Sequence, residues 1–291
     1  MAFLSAFALV LAFQQGTTPL SDFPARYRPK PPAPAYVVAR VNGVAITAAD
    51  VEGVLWDWRG ADAVQDLVTY QLIRTEAEKA RVEVSEQEVE AAINAFMPQY
   101  QKNLKPGVTA EAALLAEGMT RSRLYLRFRT QMLIQKILER SFMPANLVRV
   151  STLVFRFANE QVSAMTDAIN KANAAYDRLK KGESWESVFN SINTDTRAAG
   201  TKGLVGWREL GVFPQIVADE LSKMKAGDVT HPARTDIGIQ IFRLDMAGKD
   251  AKGKDLDDLR NEFMASGQAQ MVAKLHKEAK IEKLWPAPNG K

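Results

Sequence analysis

The chain changes its period halfway along. From Thr47 to about Phe142 the apolar residues recur at helical spacing. At "LVRVSTLVFRF" they become a β-branched run, Val148–Phe157, which reads as a strand. Two helical stretches, a glycine-rich loop, a third helical stretch and a strand or strand pair follow. Then "DLDDLRNEFMASGQAQMVAKLHKEAK" restores the helical period, with Leu256, Leu259, Phe263, Val272 and Leu275 on one side. Such a helix is not stable alone in water and must bury its stripe on something earlier in the chain. The fold class expected is α+β: a helical module of N-terminal helices plus the last helix, interrupted by an inserted α+β domain.

The helical half carries its own punctuation. "YVVARVNGVAIT" alternates around Asn42-Gly43, which reads as a β-hairpin or a strand with a tight turn. Thr47 is a good helix cap with Asp50 three residues on, and Ser85 with Glu88 forms a capping box. "AVQDLVTYQLIRTEAEK" puts Val64, Leu67, Val68, Leu72 and Ile73 on one face, and Val89, Ile93 and Phe96 form the next stripe. A long helix is expected from Thr120. In the second half, Gly182 ends one helix, "SWESVFNSI" makes a short one, "AGTKGLVGWRELG" reads as loop, and "FPQIVADELSKMKAGDV" makes another short helix. "THPARTDIGIQIFRLDMAG" closes with a strand or strand pair, and "IEKLW" reads as a short final strand.

Ahead of the hairpin, Pro24–Tyr36 is proline-rich and basic, which predicts an extended linker. Ala2–Phe13 is apolar but too short for the ~20 residues of a membrane span. It resembles the apolar part of a secretory signal, with "VLA" before Phe13 as a cleavage site and no cysteine after it to take a lipid. Export to a periplasm or cell envelope is expected, with no integral membrane span.

Composition narrows the chemistry. The chain has no cysteine, which removes disulfides, thiolate nucleophiles and cysteine-based zinc sites. His231 and His276 lack ligand spacing, so neither metal nor cofactor is expected. The net charge of +4 comes from bases interleaved with acids along the helices, a solvated-face pattern that argues against nucleic acid. There is no G-x-S-x-G, H-E-x-x-H or phosphate-binding loop.

Two blocks resemble a known family. "VVARVNGVAITAADVEGVL…LVTYQLIRTEAEKARVEVSEQEVEAAI" is similar to the chaperone domain of the SurA- and PrsA-like exported folding factors. "KGLVGWRELGVFPQIVADELSKMKAGDVTHPARTDIGIQIFRL" resembles their parvulin-type peptidyl-prolyl isomerase domain. The resemblance covers roughly 36–285. It implies a signal-like segment and linker over 1–35, a helical chaperone domain over 36–147 and a parvulin-like domain over 148–247. Residues 248–291 would then pack back on the N-terminal module, with "IEKLW" pairing near Val37–Val41. The partners implied are unfolded or extended polypeptides.

The resemblance also assigns a site. The family's proline socket has three apolar residues, matched here by Val205, Phe213 and Ile216. Its two strand histidines match Ser151 in "STLV" and Gln240 in "IGIQI". Its Cys-or-Asp position matches Thr196, beside Asp195, and its T-x-x-G threonine is Thr235. The isomerisation barrier of ~18–20 kcal/mol comes from the amide's partial double bond. A site lowers it by binding the twisted amide better than the planar one, without a nucleophile. Ser, Gln and Thr each donate and accept hydrogen bonds, so a neutral network can replace the histidines. Two outcomes stay open: a folding factor with weak isomerase activity, or a non-catalytic chaperone or envelope assembly scaffold with a degenerate domain.

Overall fold

A computed structural model describes residues 19–159, 161–192 and 200–282. The fold is α+β, in two compact units. The first holds the described residues up to Ile137 and those from Gln270 onward; the second is Leu138–Ala269.

The first unit opens with an antiparallel hairpin, β1 (Val37–Val41) and β2 (Val44–Thr47). Asn42 (φ 50°) and Gly43 (φ 86°) both take the left-handed conformation its two-residue turn requires. Thr47 then caps α1 (Ala48–Ala80): its backbone N–H donates to Asp50 Oδ2 at 2.8 Å and its hydroxyl accepts from the Asp50 N–H. Helix α1 is a single run of 33 residues. Ser85 and Glu88 cap α2 (Glu86–Lys102) in the same reciprocal way. Helices α3 (Ala110–Ala116) and α4 (Arg121–Ser141) follow. Tyr70, Ile73, Val89, Tyr125 and Leu133 are among the buried side chains.

The expected linker is only partly a linker. Phe23 is buried, at 1% exposure, and Ala25–Tyr27 forms a 3-10 turn against the helices. The exposed stretch is Pro29–Ala35. Aromatic rings spaced four apart find a partner surface that proline content does not advertise.

Glu88 joins the α2 cap to α4. It accepts from the Ser85 N–H and pairs with Lys136, which together pull its carboxyl from 4.5 down to about 2, the lysine contributing most. A carboxylate held low stabilises the fold above its unfolded value, and that contribution is lost as pH falls. We expect the acid side of the stability curve to drop as pH falls from about 4.5 toward 2, and Glu88→Gln to flatten that drop. Urea midpoints across pH 2–5 measure both; parallel curves for wild type and variant would refute the assignment.

The second unit is an antiparallel sheet in the order β4-β3-β6-β5. Its strands are β3 (Leu147–Phe155), β4 (Leu204–Glu209), β5 (Ala233–Thr235) and β6 (Gly238–Ala247). Helices α5 (Val162–Lys180) and α6 (Trp185–Ile192) cover one face, where Ala168, Ala172 and Ala175 let α5 sit close on Leu153, Phe155 and Ile241. The short α7 (Gln215–Leu221) covers the other, packing Val217 and Leu221 on Val148, Val150 and Phe242. The glycine-rich stretch read as loop therefore contains a strand, β4. Gly206 (φ 89°) and a register irregularity opposite Val150/Ser151 break the alternation that would have marked it.

Helix α8 (Lys254–Glu278) belongs to both units. Leu256, Leu259 and Phe263 pack with Leu147, Trp207 and Ala251 in the second unit. Only its end joins the first, where His276 Nε2 lies 3.0 Å from Thr69 Oγ1. The expectation that the whole stripe returns to the helical module is corrected: the edge strand β4 takes its first half. Ile281 and Glu282 are not in a strand, and the rest of "IEKLW" lies outside the described residues.

Candidate functional site

The site is decided by which face of the sheet each residue occupies. On β6, Ile239 and Ile241 point to α5 and α6, whereas Phe242 and Leu244 point to α7. Gln240 shares the parity of the latter pair. On β3, Leu153 and Phe155 face α5 and α6, and Val148 and Val150 face α7. Thr152 is therefore on the Gln240 face, and Ser151 is on the opposite one.

The hydrogen bonds agree. Gln240, 7% exposed, donates from Nε2 to Thr152 Oγ1 at 3.0 Å. The Thr152 hydroxyl lies 3.3 Å from the Ile241 carbonyl, to which it donates. Neither group titrates, so the pair keeps its hydrogen bond across the physiological range. It offers oriented dipoles and no charge.

Ser151 does other work. Its hydroxyl, 1% exposed, donates to Asp245 Oδ2 at 2.7 Å, and Arg243 Nε donates to Asp245 Oδ1 at 2.6 Å. The Arg243 guanidinium lies over the Trp185 ring at 4.9 Å. This cluster ties β3 to β6 beneath α6. The expectation that Ser151 and Gln240 form one network is corrected: successive strand residues point to opposite faces, and a one-residue slip exchanges them. Thr152 is the residue that sequence reasoning missed. Strand parity counted from Val148 and Val150 points to it.

The apolar residues divide. Val205 and Phe213 are part-buried against the Val150–Phe242 cluster, and the Phe213 ring meets Phe242 edge-on at 5.2 Å. They stand on the same face as Gln240 and Thr152. Ile216 does not join them: at 65% exposure it points to solvent, because α7 turns Val217 and Leu221, four apart, into the core. Thr235 lies two pairs along β5 from the Gln240 partner Ala233. Its hydroxyl donates to the Gly238 carbonyl at 3.2 Å and so closes the β5–β6 turn. Thr196 and Asp195 lie outside the described residues. Among the described residues no cluster of histidines and carboxylates could hold a metal, and no helix is long and apolar enough to cross a membrane.

Two family models match the chain: the PPIC-type PPIase domain over 153–246 and the SurA-like N-terminal domain over 60–138. Together they cover more than half of it. A Chaperone SurA from Pseudomonas syringae pv. syringae is 28% identical over 212 residues, 63% of this chain and 49% of the relative. The Foldase protein PrsA of Clostridium perfringens is 22% identical over 222 residues, 69% of this chain and 63% of the relative. The crystal structure of a peptidylprolyl isomerase (PrsA) from Bacillus anthracis aligns with a TM-score of 0.44 at 16% identity, covering 76% of this chain and all of that one. The chain spans about half the length of the SurA relatives it matches. With both domain types matched in the order SurA-like, then PPIC-type, the chain is a SurA/PrsA-like protein that carries a parvulin-type peptidyl-prolyl isomerase domain.

Proposed function

We propose that this chain is an exported folding factor that binds extended, proline-containing polypeptide and isomerises prolyl bonds weakly. The Gln240–Thr152 hydrogen bond carries the reading. It sets a neutral pair on the sheet face that Phe213 and Val205 also occupy, and Gln240 is one of the two positions at which the family resemblance implies a histidine. A proline ring set against Phe213 would bring its amide toward that pair. The pair favours the twisted amide through dipoles alone, so the rate gain is small. Export rests on the apolar run Ala2–Phe13.

The test is turnover of a Xaa-Pro tetrapeptide panel, read by exchange spectroscopy. Wild type is expected to turn over just above background. Phe213→Ala should remove that activity, and Thr152→His/Gln240→His should raise it by at least about ten-fold, or ~1.4 kcal/mol off the barrier. A gain from Ser151→His/Gln240→His in place of the Thr152 pair would sink the site assignment. Full turnover in wild type would sink the weak-activity reading.

A second reading, a chaperone without catalysis, is favoured by a separate observation. The helical unit has a cavity of about 740 Å³ lined by Ile93, Met97, Leu114, Met119 and Leu124 among others. Suppression of client aggregation, unchanged by Phe213→Ala, supports it.

A further inference from the structure

Leu20–Arg28 is held on the helical unit as a peptide is held in a groove. Its backbone hydrogen bonds close on itself: Phe23 N–H to Leu20 O at 3.1 Å, and Tyr27 N–H to Pro24 O at 2.9 Å. Arg28 donates back to the carbonyls of Phe23 and Ser21, each at 2.7 Å. What reaches the helices is side chains. Phe23 sits edge-on between Tyr70 and Tyr125, with ring centroids at 5.5 and 5.0 Å. Tyr27 stacks on Tyr125 at 4.2 Å and donates to Glu90 at 2.8 Å. Asp22 accepts from Tyr70 at 2.7 Å and from Arg129 at 3.0 Å. Arg26 pairs with Glu86 and Glu90. The exposed, proline-rich Pro29–Ala35 then connects this strap to the hairpin.

The strap has unfilled space on both sides. A cavity of about 290 Å³ is lined by Leu20, Phe23 and Pro29 with Leu67 and Leu126. The cavity of about 740 Å³ is lined by Tyr27, with Ile93, Leu114 and Leu124. Helix α4 supplies the floor of both through Leu124 and Leu126, and the Tyr125 between them carries the two strap rings. Strap residues thus line both cavities.

We infer that Leu20–Arg28 is an intramolecular ligand of a polypeptide-binding trough on the helical unit. A client segment with the same chemistry competes with it: a carboxylate, then an aromatic ring, then an arginine–aromatic pair. This deepens the polypeptide-binding reading above and rests on it. The short tether holds the strap at an effective concentration of order millimolar, so it gates weak segments out and admits strong ones.

The test uses the full chain and a fluorescent peptide of residues 21–28, read by anisotropy. In Arg26→Glu/Tyr27→Ala the strap loses both contacts to Glu90 and its stack on Tyr125, while the trough stays intact. That variant is expected to bind the peptide at least about 30-fold more tightly than the intact chain does. A peptide with its phenylalanine changed to alanine should bind neither. Equal binding by variant and intact chain overturns the inference. If the variant loses its helical circular dichroism, a protease site replacing Pro31–Ala33 gives the second arm. After cutting, exchange of the native strap for labelled peptide supports the inference, and no exchange at millimolar peptide overturns it. Suppression of client aggregation by the intact chain is scored in parallel. Suppression without strap exchange removes the strap as ligand and leaves the chaperone reading standing.

Discussion

Asp245→Ala is expected to destabilise the parvulin-type unit by about 3 kcal/mol while prolyl turnover per folded molecule is unchanged. The Asp245 side chain is 15% exposed and accepts from both Ser151 and Arg243. Without it, a hydroxyl that is 1% exposed loses its acceptor, and a guanidinium with 30% exposure loses its counter-charge. Breaking a fully buried ion pair costs about 3–5 kcal/mol, and the partial exposure of Arg243 puts this one at the lower end. Ser151→Ala removes one hydrogen bond and leaves the ion pair, so its cost should be about 1 kcal/mol. Ser151→His pushes a ring into the same packed space under α6 and should behave like Asp245→Ala, with no gain in turnover. Urea midpoints rank the three. If Asp245→Ala falls within about 0.5 kcal/mol of wild type, the cluster is not what joins β3 to β6 on that face.

The contrast between Ser151 and Thr152 shows what a sequence of this kind makes legible. Helix starts are legible because a cap is a local bargain between a side chain and a backbone three residues on; Thr47 with Asp50 and Ser85 with Glu88 both form it. The Asn42-Gly43 turn is legible for the same reason. The α+β class follows from the change of period at Val148. Three things are not local. Strand β4 hides because Gly206 and a register irregularity interrupt its alternation. Phe23 and Tyr27 hide inside a linker composition because their partners, Tyr70 and Tyr125, lie far along the chain. The polar pair is missed by one residue because a motif match carries no face, and only the packing of Val150 and Phe242 against α7 supplies it. Phe213 and Val205 remain on the site face, whereas Ile216 is lost to solvent by a turn of α7.

Gly203→Ala is expected to cost about 2–5 kcal/mol and to lower whatever prolyl turnover the site has. Gly203 has φ 78°, and a Cβ there would stand 2.4 Å from the Thr152 carbonyl oxygen and 2.9 Å from the Phe189 ring. The left-handed conformation alone costs an alanine about 1–2 kcal/mol. The overlap adds about 1–3 kcal/mol, because one neighbour is backbone and the other is a buried ring that cannot swing away. Gly227 is the control: its φ is 95°, and a Cβ there meets nothing within 4 Å, so Gly227→Ala carries the backbone term only. The functional effect follows from position. The Gly203 carbonyl accepts the Thr152 N–H at 2.8 Å, and Thr152 is the residue to which Gln240 donates. Displacing Gly203 therefore moves the polar pair relative to Phe213, and a site that works by orientation loses rate when its donors shift by a fraction of an ångström. Urea midpoints for the two alanine variants, with tetrapeptide turnover measured on each below its transition, separate strain from site. Equal stability of the two variants would show that β3 does not approach Gly203 this closely. Unequal stability with unchanged turnover would show that Thr152 is not the hydroxyl that matters.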